Sequence, residues 1–155
     1  MKRIRIVAVG RIRTPHWLSA SEDYQKRLRH VYRLEETIIK DGDSSLSVQE
    51  RNIVEGERIL ASLTAGYQPV RLDEKGDSIS SPDFSRYIEK LCDSGKIPCF
   101  IIGGAYGFSP AVTQAVTKAI CFGPLTFPHE LARVLLLEQL YRADSIARGT
   151  PYHHG

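Results

Sequence analysis

FIIGGAYGFSP, residues 100–110, ends an apolar run on two adjacent glycines, adds a third at Gly107 and then opens on Ser109-Pro110. Cys99 to Ile102 reads as a short buried strand, and a helix starts at Pro110. A strand that passes through a glycine turn into a helix is the repeating unit of parallel α/β sheets. In such sheets ligands gather beyond the carboxyl ends of the strands.

The rest of the chain continues this alternation. KRIRIVAV (2–9) alternates charged and apolar residues at period two, so Ile4, Ile6 and Ala8 face a core. Ser19 and Glu22 have capping-box spacing, which predicts a helix running to about Tyr32. Leu34 to Lys40 is a second strand, followed by the turn-rich DGDSS. Ser47 and Glu50 repeat the box and open a helix to about Leu63, with Ile53, Leu60 and Leu63 near one stripe and Ile59 beside it. Gly56 inside that helix marks close packing. Val70 to Leu72 is a short strand before the polar turn Asp73 to Asp77. Ser81 and Pro82 read as N-cap and first helical position of a helix to about Cys92. Cys121 to Phe127 is a short apolar strand and loop. The last helix runs from Pro128 to about Arg148, capped by Gly149 and stopped by Pro151. The expectation is α/β: a largely parallel sheet flanked by helices, one domain over residues 1–155.

Composition narrows the class. With 42% hydrophobic and 25% charged residues the chain is ordinary globular material. No apolar run reaches the roughly 20 residues that span a bilayer, and MKRIRIVAVG reads as a strand, not a secretion signal. Cys92, Cys99 and Cys121 have unrelated spacings, so neither a zinc site nor a disulfide framework is expected, and the compartment is cytoplasmic. Charge is uneven. Residues 1–33 carry nine cations against two anions, a net +7, which leaves −4 for the remainder of a chain whose total is +3. Such a basic third faces phosphate or is simply a soluble surface; Arg11, Arg13 and Arg27 are its candidate phosphate contacts.

Three loops end on one side of the predicted sheet: after Leu72, after Ile102 and around Gly123. The glycines of the second are spaced neither as GxGxxG nor as GxxxxGK[ST], and no lysine follows them. A ligand without phosphates, such as an adenine nucleoside, suits a loop of this kind. The last helix is apolar around nearly its whole circumference, which fits packing on its own sheet and on a second subunit. Glu138 and Arg142 interrupt it at the favourable acid-before-base spacing of four. They form a structural ion pair at a dimer interface, or Arg142 is held there to meet an anionic substrate. Tyr152 and His153 in the tail PYHHG are either frayed or placed to stack on a base and move a proton. His129, one turn from the third loop, is a weaker candidate.

The segments IVAVG (6–10), RLDEKG (71–76), FIIGGAYGFSP (100–110), LTFPHELARVLLLEQLYRA (125–143) and PYHH (151–154) together resemble the RlmH-type ribosomal RNA methyltransferases, small members of the SPOUT superfamily. The resemblance covers the whole chain in order, and TFPH, EQLYRA and PYH are its most specific parts. It implies a C-terminal trefoil knot, which general topology rules would not anticipate, and a homodimer. It implies methyl transfer from S-adenosylmethionine, without a metal, to N3 of a pseudouridine (the pseudouridine-1915 type) in 23S rRNA at the ribosomal subunit interface. Methyl-donor contacts carry over to Leu72, Gly103, Phe122, Gly123, Pro124, Leu125, Thr126 and Phe127. Under this resemblance His153 or Tyr152 serves as base or positions substrate, and Arg142, oriented by Glu138, stabilises the anionic ring. Competing classes are a non-catalytic ribosome-binding module of the same fold, a nucleotide-binding hydrolase or dehydrogenase, and a plain structural dimer.

Overall fold

The computed structural model describes residues 1–155. In chain order the elements are β1 (Lys2–Val9), α1 (Pro15–Leu28), β2 (Tyr32–Ile39), α2 (Val48–Ser62), β3 (Tyr67–Ser78) and α3 (Ser81–Asp93). They are followed by β4 (Ile97–Ile102), α4 (Pro110–Ala115), β5 (Ala119–Cys121) and α5 (His129–Arg148). The five strands form one sheet in the order β2-β1-β4-β3-β5, and every pairing is parallel. The expected α/β class is observed.

A parallel sheet needs cover on both faces, and the period-two alternation supplies two cores. Ile4, Ile6, Ala8, Val70, Phe100 and Ile120 pack with Leu28 of α1, Phe84 and Ile88 of α3, and Leu136, Leu137 and Leu140 of α5. Val7, Val9, Cys99 and Ile101 turn the other way, toward Ile59 of α2 and Val112 of α4. Phe100 and Ile101 are both fully buried on opposite faces, and complete burial of such side chains is worth ~1.5–3 kcal/mol each.

Several predicted boundaries move. The Ser47–Glu50 box forms as read, each side chain bonding the other's backbone amide. The Ser19–Glu22 spacing does not cap anything: α1 starts four residues earlier, at Pro15, with Thr14 as N-cap and no side-chain cap bond from Thr14. Its start is held from outside, because the Glu130 carboxylate of α5 accepts the Arg13 and Thr14 backbone amides at 3.2 Å each. The stripe read on α2 is also displaced. Its buried face is Glu55, Gly56 and Ile59, while Ile53 is 46% exposed. The reason is Gly56: a Cβ there would lie 2.3 Å from Ser109 Oγ, so that side of the helix is pressed onto α4. The α3 cap is Ser80, one residue before the predicted one, and accepts the Asp83 amide. β5 lies at 119–121 and residues 122–128 are loop, so the apolar CFGPLTF only begins in a strand.

Candidate functional site

β4 and β5 flank β3, so the loops after Ile102 and around Gly123 leave one edge of the sheet, but the polar turn expected after Leu72 is strand, because β3 continues to Ser78 along β5. Leu72 pairs with Ile102 at the end of the β3–β4 ladder. The β3–β5 register slips between Leu72 and Asp77, and within that irregularity Gly76 backs directly onto the Ala119–Ile120 backbone, where a Cβ would lie 2.6 Å away. Glu74 there accepts the Thr126 hydroxyl and ties β3 to the loop after β5. Gly103 is buried directly after β4, where a Cβ would lie 3.1 Å from Gly107 O and 3.2 Å from the Phe108 ring. Phe122 packs on the first core cluster, whereas Leu125 is 70% exposed, an apolar side chain with nothing over it. Close backbone, an apolar wall and no cation among Leu72, Gly103 and residues 122–127 fit a flat, cationic, phosphate-free adenosine derivative such as S-adenosylmethionine.

The second predicted set is also brought together. Arg142 Nε donates to Glu138 Oε1 at 3.0 Å, and the two close an ion pair at 2.5 Å. The tail folds back over them. Tyr152 OH donates to Glu138 Oε1 at 3.2 Å, the Arg142 guanidinium lies 4.9 Å from the Tyr152 ring centroid, and Arg142 Nη1 is 3.2 Å from His153 Nδ1. Tyr24 of α1 reaches the Tyr152 hydroxyl at 3.3 Å, and the Tyr141 ring meets the Tyr152 ring edge-on at 4.8 Å. The hydrogen bond from Arg142 to Glu138 raises the guanidinium pKa. Burial, then the Tyr24 hydrogen bond and the Glu138 charge, raise the Tyr152 hydroxyl well above the ordinary tyrosine range. Tyr152 is therefore held as a protonated donor, and His153 Nδ1 accepts from the Arg142 guanidinium, which can only donate.

One residue unread in the sequence connects the two sets. Gln139 donates to Glu138 Oε2 at 2.7 Å, accepts from Ser81 Oγ at 2.7 Å, and lines a small hollow with Phe122 and Cys121. Its bond to Ser81 spans 58 positions of sequence, so no local pattern marked it.

A cavity lies elsewhere. About 270 Å³ in volume and open to solvent, it is lined by the loops after β1, β2 and β4, the first turns of α2, and His129. Arg13 and His129 are the only residues of it singled out from sequence for binding. It shares no residue with the methyl-donor set, although Gly103 of that set adjoins Gly104 of its wall. The basic third is partly neutralised by ion pairs: Lys2 with Glu89, Arg3 with Glu35 and Arg27 with Asp23. Arg11 and Arg13 remain exposed and without an acidic partner, while Arg27 also lies over the Tyr24 and Tyr141 rings. The three cysteines are free, and burial pushes the Cys99 thiol up to about 11, which makes it inert packing. No cluster of His, Cys, Asp or Glu is arranged to hold a metal ion, and no helix is long and apolar enough to cross a membrane.

Comparison with known proteins agrees with the geometry. Residues 1–153 match the family described as "Predicted SPOUT methyltransferase". The chain is 50% identical to the ribosomal RNA large subunit methyltransferase H of Nitratidesulfovibrio vulgaris strain DP4, covering 99% of both. It is 49% identical to the protein of the same description from Lawsonia intracellularis, covering 99% of this chain and 98% of that one. Among solved structures, a methylase family protein from Neisseria gonorrhoeae superposes with a TM-score of 0.56 at 13% identity, over 99% of this chain and 86% of that one. That last likeness is one of fold alone.

Proposed function

The chain belongs to the SPOUT methyltransferase family, in the group of ribosomal RNA large subunit methyltransferase H proteins, and on that premise we propose which methyl transfer it performs. It methylates N3 of a pseudouridine in 23S rRNA (the pseudouridine-1915 type) at the ribosomal subunit interface, in the cytoplasm. It works as a homodimer of single domains spanning 1–155, each with the trefoil knot of its family. The observation that carries this reading is the folding of Tyr152 and His153 onto Glu138 and Arg142.

Leu72, Gly103 and Phe122 to Phe127 would hold S-adenosylmethionine. When bound, it would supply a methyl group on a sulfonium sulfur, which a nitrogen attacks with an available electron pair. An imide N3 gains that pair by losing its proton, and we assign the proton to His153 once its Nδ1 is released from Arg142. The negative charge then left on the ring carbonyls faces Arg142, whose orientation Glu138 fixes from one side and Tyr152 from the other. The Tyr152 hydroxyl keeps its proton and positions the pair. Support for the dimer comes from α5: Leu131, Leu135, Glu138, Arg142 and Ile146 form one half-buried stripe on a helix otherwise turned inward, next to the bare Leu125. A second subunit laid on that stripe would complete both sites.

The test is transfer of labelled methyl from S-adenosylmethionine to ribosomes isolated from cells lacking this protein, with the modified nucleotide mapped afterwards. Label on N3 of a single interface pseudouridine is expected. Donor binding without label on 23S rRNA would sink the assigned substrate, and no donor binding would favour a non-catalytic ribosome-binding module.

A further inference from the structure

We propose that the cavity lined by the loops after β1, β2 and β4 is a binding site for one unpaired nucleotide of the RNA substrate, adjacent to the nucleotide that is methylated. This rests on the RNA reading above for the identity of the polymer, but the site itself is argued from its own walls.

At about 270 Å³ the cavity admits a single base with its sugar and excludes a duplex. Two guanidinium groups reach it from different elements. Arg13 has no acidic partner, and Arg51 donates only through Nε, to Asp43 O at 3.1 Å, which leaves its terminal nitrogens free. Paired guanidinium donors with no carboxylate to satisfy them match a phosphate diester. Beside Arg51 stands Tyr106, 53% exposed at the tip of the glycine turn. An aromatic ring held out in water is costly unless something covers it, and this one is held deliberately. Its carbonyl is fixed by Asn52 Nδ2 at 3.1 Å, the turn is closed by the Gly104–Gly107 bridge, and the Arg51 guanidinium lies 5.7 Å from its centroid. A fixed exposed aromatic beside free cations is the pattern by which proteins hold unpaired bases.

The acids decide orientation. Glu55 is already engaged, accepting the Gly42 amide at 3.0 Å. Asp41 lies in the wall with no ion pair to its carboxylate, Arg58 Nη1 donating only to its backbone carbonyl at 3.0 Å. A bare anion would be repelled there, whereas the N–H edge of a base or a ribose hydroxyl would be accepted. The base therefore points to Asp41 and the phosphate to Arg13 and Arg51. Because Gly103 of the donor set and Gly104 of this wall are consecutive, one turn separates the two ligands, which places this nucleotide beside the target.

The experiment uses the full chain, with uridine 5′-monophosphate as probe and backbone amide NMR as readout. Amides of Gly42, Gly104, Ala105 and Tyr106 should shift on titration and still shift when S-adenosylmethionine is saturating; uridine alone should bind at least about tenfold more weakly. With ribosomes as substrate, Tyr106→Ala and Arg51→Gln should each raise KM about tenfold, leaving kcat within about twofold and donor affinity unchanged. Displacement of the probe by S-adenosylmethionine, unmoved amides, or a loss of kcat at constant KM would overturn the proposal. Wild-type methylation with KM unchanged in both variants would remove the cavity from RNA binding and leave the function standing. A wild type that fails to methylate 23S rRNA while the probe still fills the cavity would remove the function and keep the nucleotide site.

Discussion

On one side of β4 the strands β1 and β2 run into loops bearing Arg11, Arg13, Asp41, Asp43 and Ser44; on the other, β3 carries Leu72 and β5 runs into the FGPLTF segment. The backbone arrangement is the same on both sides, parallel strands releasing loops at a common edge. The side chains divide it. Under the proposed reading, cations collect where a phosphodiester is met and residues 122–127, proposed to face the sulfonium, carry none, since two like charges about 4 Å apart cost roughly 1–4 kcal/mol between water and a protein surface. On that proposal one scaffold serves two chemistries with opposed electrostatic requirements, divided at the glycine turn after β4.

The sharpest way to test that division is to remove the proposed base, which neither side supplies. His153→Ala should lower the single-turnover rate by about 10² to 10⁴ while donor affinity and ribosome KM stay near wild type; an unchanged rate would refute the base assignment. Next in size is Gly103→Val, whose side chain enters a space already tight against Gly107 and Phe108. Donor affinity measured by calorimetry should fall about ten- to hundredfold, the equivalent of ~1–3 kcal/mol of overpacking. If uridine monophosphate binding is lost with it, the two sides are not separate. Salt should tell them apart more gently. Ribosome affinity should fall steeply between 50 and 200 mM salt and donor affinity should not, and Arg13→Gln should reduce the log–log salt slope by about 1. A smaller effect is structural. Ser47→Ala removes the cap of α2, the helix that carries Arg51 and Glu55, and should cost ~1 kcal/mol in denaturant unfolding without altering donor affinity.

The smallest effect is one of pH. Because the Tyr152 hydroxyl is raised above its ordinary value in the folded protein, the folded state holds that proton more tightly than the unfolded chain. The stabilisation is complete below the unfolded tyrosine pKa of about 10 and declines as pH rises beyond it toward the folded value. Tyr152→Phe should flatten the alkaline end of the stability curve; an unaltered curve would mean the tail is not tied down in solution.

The caps show why some of the fold is legible and some is not. Ser47–Glu50 and Ser19–Glu22 have one spacing, yet only the first caps a helix. α2 begins where its local signal says, while the start of α1 is set by Glu130, more than a hundred residues away. The period-two alternation of β1 and the unbroken apolar run of β4 were both readable, and the second is what burial on both faces of a parallel sheet produces. Gly56 announced close packing, but its partner Ser109 and the resulting displacement of Ile53 depend on how α2 meets α4. At the site, Glu138 and Arg142 were visible as a four-residue pair, and the tail histidine came from resemblance to a family. Gln139, Asp41, Arg51 and Glu55 were not marked for function at all, since each is an ordinary polar residue in its own segment.

The dependence of the first helix on the last has a consequence in time. α1 packs against α5, and Tyr24 meets Tyr152 across 128 positions of sequence. β1 lacks its second neighbour until β4 has been made. At synthesis rates of about 5–20 residues per second, roughly 6 to 25 s separate the emergence of Tyr24 from that of its partner. Through that interval the nascent chain holds no Glu138–Arg142–His153 cluster, and its sheet stays unfinished until β5 has been made. Chains released after Arg148 should accordingly bind donor and transfer no methyl. An enzyme proposed to modify ribosomes is thus inert for as long as a ribosome is still making it.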